Sequence, residues 1–325
     1  MATSQQKKAT LKKKKRPSSC TLCGYNKIAL VRTGIREDAD AEVYGCLNCG
    51  FQFLSSPDYD LRAYYREEYR KSHSYVIGEE LSPKAQFDLM RPLMEERVKH
   101  FKEYIPKGSK VLEVGCSSGF FLDAIRDEYT VYGNEWNPAE AQFVRDMGIP
   151  CSEEALQDAF AGENFTVIVA YHVLEHSPNP VEWLKLVKDR LIGGGYIHLE
   201  LPNTENALTG IYNIPSFRDR YYRMPHLGYW NKDTLAGALG TLGFEARISL
   251  REEYSLGNHL RWLLTGEPDP NVQMARAPYL PVPPEHPAAP VVNRFFANFD
   301  RQYKNLLDTL KASSLLVAVG RKREI

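Results

Sequence analysis

The sequence predicts an α/β protein built on a doubly wound, mostly parallel sheet, with a small N-terminal ribbon and a C-terminal insertion. Three observations carry this. Strand and helix patterns alternate from Lys110 to Arg247. The first strand of that run passes through the turn Gly115-Cys-Ser-Ser-Gly119 directly into a helix. Two Cys-x-x-Cys pairs, Cys20/Cys23 and Cys46/Cys49, stand ahead of it. The expected division is a basic tail over 1–19, a ribbon over 20–58 and a helical linker or lid over 59–104. The sheet domain follows over 105–250, then an insertion or cap over 251–312, and a last strand with its tail over 313–325.

The chain has 325 residues, 43% of them hydrophobic and 25% charged, enough for one large or two modest domains. Mean hydropathy is −0.42 and no apolar run approaches ~18 residues, which excludes a membrane-spanning helix. No secretory signal pattern opens the chain, so a cytoplasmic location is expected. The 41 basic and 41 acidic residues balance, but seven of the basic ones lie between Lys7 and Arg16. The rest of the chain is therefore acidic, a poor general binder of phosphate backbones. The tail reads as a solvated, disordered run; holding nucleic acid or an anionic surface is its functional alternative.

In the ribbon, Gly24 and Gly50 follow the second cysteine of each pair and let backbone amides approach the sulfurs. The spacing suits a tetrahedral site of Cys20, Cys23, Cys46 and Cys49 around structural Zn2+, with strands near Lys27–Arg32 and Glu42–Tyr44. Two disulfides are the rival reading, and a chain without a secretory signal argues against them. Cys116 and Cys151 fall outside the pattern as small core residues.

From Tyr59 to Tyr104 the chain reads helical, with Ser82-Pro83 starting a second segment that runs through Phe101. These are plain connectors, or a lid bringing Tyr65, Tyr69 or His73 to a site. The strand Val111–Val114 places Glu113 two residues before Gly115, where a carboxylate suits a cationic amino-acid cofactor better than a pyrophosphate. The next strand ends in Glu135, an acid suited to both hydroxyls of a ribose, and Trp136 can lie along an adenine. A third strand leads into Tyr171-His-Val-Leu-Glu-His176, and a fourth ends in Pro202-Asn203. Ligands of such sheets sit at the carboxyl ends of the strands, where Gly115, Glu135, His172 and Asn203 fall.

The segments VLEVGCSSGFFL, VYGNEWNP and VIVAYHVLEHSPNP resemble class I S-adenosylmethionine-dependent methyltransferases. The LEH segment and HLGYWNKDTL are similar to the branch that includes ubiquinone-type O-methyltransferases. The four-cysteine ribbon ahead of the domain is similar to sugar C-methyltransferases and to methyltransferases of polysaccharide gene clusters. The resemblance implies a Rossmann-like methyltransferase sheet and S-adenosylmethionine as cofactor, held by Glu113, Gly115, Cys116, Ser117, Gly119, Glu135, Trp136 and Tyr171. It also implies methylation at carbon or oxygen of a sugar, sugar nucleotide or related intermediate. Ser117 stands where the family's first motif has its central glycine, and Thr166 stands in place of an acid at the start of the fourth strand. After that strand there is no Asn/Asp-Pro-Pro-Tyr, which argues against amide or adenine methylation, and no Pro-Cys, which argues against cytosine C5 chemistry.

An oxygen or carbon nucleophile must lose a proton, and histidine is the natural base near neutral pH. His172 is the leading candidate, with cofactor packing as its plainer role. His226 and Tyr229 are expected to shape the acceptor pocket, Glu175 and His176 to orient their loop, and His198 to sit in the sheet. His259 belongs either to a substrate cap or to packing. A carboxylate cluster at the sheet edge, as magnesium-dependent catechol chemistry needs, is not expected. Val291–Leu310 reads as a last helix carrying Phe295, Phe299, Tyr303, Leu306, Leu307 and Leu310 on one stripe, which packs on the body or forms a homodimer contact. The small-molecule acceptor has two rivals: RNA methylation, which the ribbon and tail would fit, and a non-catalytic binding module.

Overall fold

A computed structural model describes residues 16–55, 60–72, 80–278, 282–283 and 285–324. The tail over 1–15, Tyr59, His73 and part of the proline-rich stretch lie outside the described residues.

The ribbon is a hairpin of β1 (Ile28–Ile35) and β2 (Asp38–Cys46) with the short β3 (Gln52–Leu54). Two short helices follow, α1 (Leu61–Glu67) and α2 (Tyr69–Ser72), then α3 (Pro83–Met90) and α4 (Glu95–Tyr104). The sequence suggested one helix from Ser82 to Phe101. Pro92 lacks the N–H that a helix interior needs, and a 3-10 turn over Arg91–Met94 separates α3 from α4. The alternating run supplies β4 (Lys110–Val114), α5 (Phe120–Ile125), β5 (Thr130–Asn134), α6 (Pro138–Asp146) and β6 (Cys151–Ser152). It continues with β7 (Phe165–Tyr171), α7 (Pro180–Arg190), β8 (Leu191–Pro202), α8 (Pro215–Tyr221), β9 (Gly228–Tyr229), α9 (Lys232–Thr241) and β10 (Phe244–Arg251). The insertion is α10 (Leu256–Thr265), α11 (Val272–Arg276) and α12 (Ala289–Thr309), before β11 (Leu315–Lys322).

The large sheet runs β10-β11-β8-β7-β4-β5-β6, with only β11 antiparallel to its neighbours. Its inner strands are buried on both faces, so they read as continuous apolar runs. Alternate residues divide the core. Val111, Val167 and Val169 pack with Phe101, Phe121 and Val144, while Leu112, Ile168 and Leu199 pack with Leu184, Val187 and Leu235 on the other face.

The ribbon joins the sheet domain by main-chain pairing. Phe53 of β3 pairs with Gly228 of β9, extending the ribbon sheet to four strands. A Cβ at Gly228 would stand 2.7 Å from Phe51 Cζ, so only glycine lets this contact form. Phe51 in turn meets the buried Trp230 with ring centroids 4.6 Å apart. In the insertion, His259 is a packing residue. It is buried, and its Nδ1 lies 2.6 Å from the Tyr303 hydroxyl on α12.

Candidate active site

A cavity of about 970 Å³ opens over the carboxyl ends of β4, β5 and β7. That is room for a nucleoside-sized cofactor and an acceptor together. One end is built by the glycine turn. Gly115 has φ +69, and a Cβ there would meet Val173 Cγ2 at 2.7 Å. Ser117 takes φ +50, the left-handed conformation that explains why the resembling motif has glycine at this position. Glu135 ties the loops together, accepting from the amides of Ser117 (2.9 Å) and Asn137 (2.8 Å). Burial pushes its carboxyl up, against the pull of Arg70. Glu113 is buried in β4, and its Oε2 has no hydrogen-bond partner among the described residues. Burial raises its carboxyl well above the usual range, against the opposing charge of Arg97.

The middle of the cavity is the segment after β7. His172 takes φ +58 and directs both ring nitrogens at carboxylates, Nδ1 at Glu175 (3.5 Å) and Nε2 at Glu200 (3.4 Å). Burial alone would lower its pKa, but the two carboxylates outweigh that and raise it to about 9. Glu200 is fully buried and is also held by Arg97 and Arg251, which keep it well below the ordinary carboxylate range despite the loss of water. His176 goes the opposite way: burial lowers it to about 4, so it is neutral at pH 7, with Nε2 unpartnered among the described residues.

Ring contacts lead from here to the far end. Trp136 meets Tyr65 (6.1 Å), Tyr65 stacks on His176 (5.6 Å), and His176 meets His226 (5.3 Å). His226 Nε2 accepts from Arg223 Nε at 3.1 Å. Arg223 lines the cavity beside Arg220 of α8 and Arg36 of the ribbon hairpin. Two bonds bring the hairpin there: Arg36 N donates to Tyr222 O (2.9 Å), and Met224 N donates to the Glu37 carboxylate (2.8 Å). Burial, together with Arg220 and Arg223, lowers the Arg36 pKa, while Glu37 opposes the shift. The insertion roofs the cavity with Tyr254, Asn258, Trp262 and Arg276.

Of the eleven residues assigned from sequence to cofactor binding or catalysis, Glu113, Gly115, Ser117, Glu135, Trp136, Tyr171 and His172 line this cavity. Four do not. Cys116 points under the turn, with its Sγ 3.8 Å from that of Cys151, packed against Gly133. Gly119 caps α5 with φ +72. Tyr229 is buried against Tyr222, where β9 meets the ribbon. His226 is buried behind Arg223. Sequence reasoning missed the three arginines, because they come from segments far apart in the chain. It also assigned His176 to loop structure, whereas the ring lines the cavity.

Two sets of candidate ligand atoms meet near the cavity, neither made of carboxylates alone, and Glu200 and Glu253 are already paired with arginines. Glu175, His176 and His226 each offer one ligand atom within 4.8 Å of the others, and so do His172, Glu200 and Glu253. Local sequence spacing could not show these sets, since His226, Glu200 and Glu253 come from later elements. In the ribbon, Cys20, Cys23, Cys46 and Cys49 form a third such cluster. All four are free thiols rather than disulfides, and amides of Leu22 and Asn48 point at Cys20 and Cys46 sulfurs, each at 3.4 Å. The arrangement is compatible with zinc.

Residues 87–247 match the family model described as a methyltransferase domain. That match takes in just under half of the chain and agrees with the class of enzyme that the sequence predicted. Two curated relatives are tRNA U34 carboxymethyltransferases. The one from Pseudomonas putida (strain GB-1) is 28% identical over 198 residues, covering 54% of this chain and 60% of the relative. The one from Pseudoalteromonas translucida (strain TAC 125) is 25% identical over 179 residues, covering 47% and 55%. The chain therefore spans little more than half the length of either. Among solved structures, an S-adenosylmethionine-dependent methyltransferase from Archaeoglobus fulgidus aligns with TM-score 0.48 and 17% identity, over 71% of this chain and 94% of that one. Nothing about activity follows from so distant a likeness.

Proposed function

We propose that this chain transfers a methyl group from S-adenosylmethionine to an acceptor bearing a phosphate or comparable anion, with a sugar nucleotide as the leading class. The observation that carries this is the group Arg36, Arg220 and Arg223, which lines the cavity away from the buried Glu113 and Glu135; Arg70 and Arg97 line it beside those carboxylates, and Arg276 lines it from the insertion. Bound S-adenosylmethionine supplies a methyl group already activated on a sulfonium. The residues fit it. The unpartnered Glu113 carboxylate suits the ammonium of its amino-acid part, Glu135 suits the ribose hydroxyls, and a Cβ at Gly115 would fill the cradle. Arg36, Arg220 and Arg223 would grip the acceptor's anion, as guanidiniums do for phosphate. His172, beside Glu175 and Glu200, is the proposed base, and His176 would hydrogen-bond the acceptor in its neutral form. Zn2+ on the four ribbon cysteines would hold the hairpin that carries Arg36. The sugar class itself rests on the resemblance in domain order.

RNA is the second reading. The curated relatives are named for tRNA, and the same arginines could meet a backbone phosphate. Labelled S-adenosylmethionine offered with a panel of nucleotide sugars and, in parallel, bulk tRNA separates the two, read by mass spectrometry. A sugar nucleotide gaining one methyl supports the proposal; label in tRNA replaces it. Arg36→Gln is expected to raise KM for the phosphorylated acceptor roughly tenfold and to leave S-adenosylmethionine affinity unchanged. An unchanged KM removes the anion subsite.

A further inference from the structure

Glu175 and His176 stand side by side in the 3-10 turn over Leu174–His176 that follows β7, and His226 lies just ahead of β9. A main-chain bond from Leu227 N to Glu175 O, 2.7 Å long, fixes the two segments against each other. Glu175 is buried, yet neither oxygen of its carboxylate has a hydrogen-bond partner among the described residues. His172 Nδ1 faces one of them at 3.5 Å, too long for a good hydrogen bond. His176 Nε2 is likewise buried and unpartnered among the described residues. A buried carboxylate beside a buried ring nitrogen, both without partners, costs free energy unless something fills the space between them. These two groups and a ring nitrogen of His226 lie within 4.8 Å of one another. The neighbouring group of His172, Glu200 and Glu253 has no such need. Arg97 and Arg251 hold Glu200, and Arg276 holds Glu253.

We propose that Glu175, His176 and His226 bind one divalent first-row cation, at a site separate from the four ribbon cysteines. A carboxylate oxygen and two imidazole nitrogens are ordinary ligands of Mn2+, Fe2+ or Zn2+. Donors that share such an ion stand on the order of 3–4 Å apart, so a modest rotation of the rings closes the set. His226 Nε2 accepts from Arg223, whose Nε and Nη2 stand 3.1 and 3.0 Å away. Ligation through that nitrogen displaces the guanidinium, which can turn into the cavity it already lines. An acceptor anion that draws Arg223 away would therefore favour the ion. Three protein ligands leave positions for water or for an oxygen of the acceptor, and His176 lines the cavity. His176 would then reach the acceptor through the ion instead of by a direct hydrogen bond. That last step rests on the methyl-transfer reading; the binding of the ion does not.

The test uses the full chain, its ribbon first loaded with one molar equivalent of Zn2+. Mn2+ is then titrated in, without cofactor or acceptor, and followed by electron paramagnetic resonance. Thiolates bind Mn2+ poorly, so the ribbon does not compete. One Mn2+ per chain is expected, with the nitrogen couplings of two imidazoles in the pulsed spectrum. His176→Gln and Glu175→Gln should each raise the dissociation constant at least roughly tenfold, with zinc content and circular dichroism unchanged. Arg223→Ala should bind Mn2+ severalfold more tightly, because a like charge beside the ion is gone. Three results would each overturn the proposal: no bound Mn2+, bound Mn2+ without imidazole couplings, or an affinity that His176→Gln leaves unchanged. Weaker binding in a folded Arg223→Ala protein would do the same. The readout needs no methyl transfer, so its failure leaves the methyltransferase reading standing. An inactive enzyme that still binds Mn2+ at these residues leaves the ion site standing.

Discussion

The two ends of the cavity are built by different means. At the carboxylate end, Glu113, Gly115 and Ser117 come from one strand and the turn after it, and Glu135 from the adjacent strand. Parallel pairing of β4 with β5 aligns Val114 with Asn134, so the turn and the acid meet without help from any distant segment. At the arginine end, Arg36 arrives from the ribbon and Arg220 and Arg223 from α8 and the loop after it. They meet because the hairpin is bonded to Tyr222 and Met224, and because β3 pairs with β9. The first end depends on local geometry, the second on the docking of two units. Damage to the ribbon should therefore reach acceptor handling before it reaches cofactor binding.

The largest effect is expected from Cys46→Ser. If zinc holds the ribbon, its loss removes stabilisation on the order of 10 kcal/mol from that unit. The variant should release metal, lose solubility and stop methylating, while the soluble remainder still binds S-adenosylmethionine in calorimetry. A stable metal-free ribbon with normal turnover would break the comparison.

His172 comes next. His172→Ala should lower turnover by roughly 10²–10⁴ with cofactor affinity preserved. The sign of its pH dependence follows from the carboxylates that raise it to about 9. A base must be deprotonated, so below that value the rate should climb about tenfold per pH unit and level off near pH 9. His172→Gln should flatten the climb. A rate already level above about pH 4 would hand the proton to His176, the neutral ring.

The smallest effect belongs to the local end. Glu135→Ala should weaken S-adenosylmethionine binding by about 1–3 kcal/mol, the range for a charged hydrogen bond, with the acceptor KM unmoved. Unchanged cofactor affinity would end that assignment. A shift in acceptor KM instead would mean that the two ends are coupled.

The sequence by itself determined the order of strands and helices, the glycine turn with its two acids, and the four cysteines. Each is a short-range pattern: alternating apolar periods, a left-handed turn at Gly115 and Ser117, and paired cysteines three positions apart. The tertiary structure alone decided the rest. It turned Cys116 beneath its loop. It buried Tyr229 at the junction with the ribbon and set His226 behind Arg223. It also brought Arg36 beside Arg223 and ran the ring contacts from Trp136 to His226. Those contacts join segments tens to nearly two hundred residues apart, where no periodicity links the partners. Strand pairing across β3 and β9, and packing of α1 over the sheet with Tyr65 between Trp136 and His176, bring them within reach of one another.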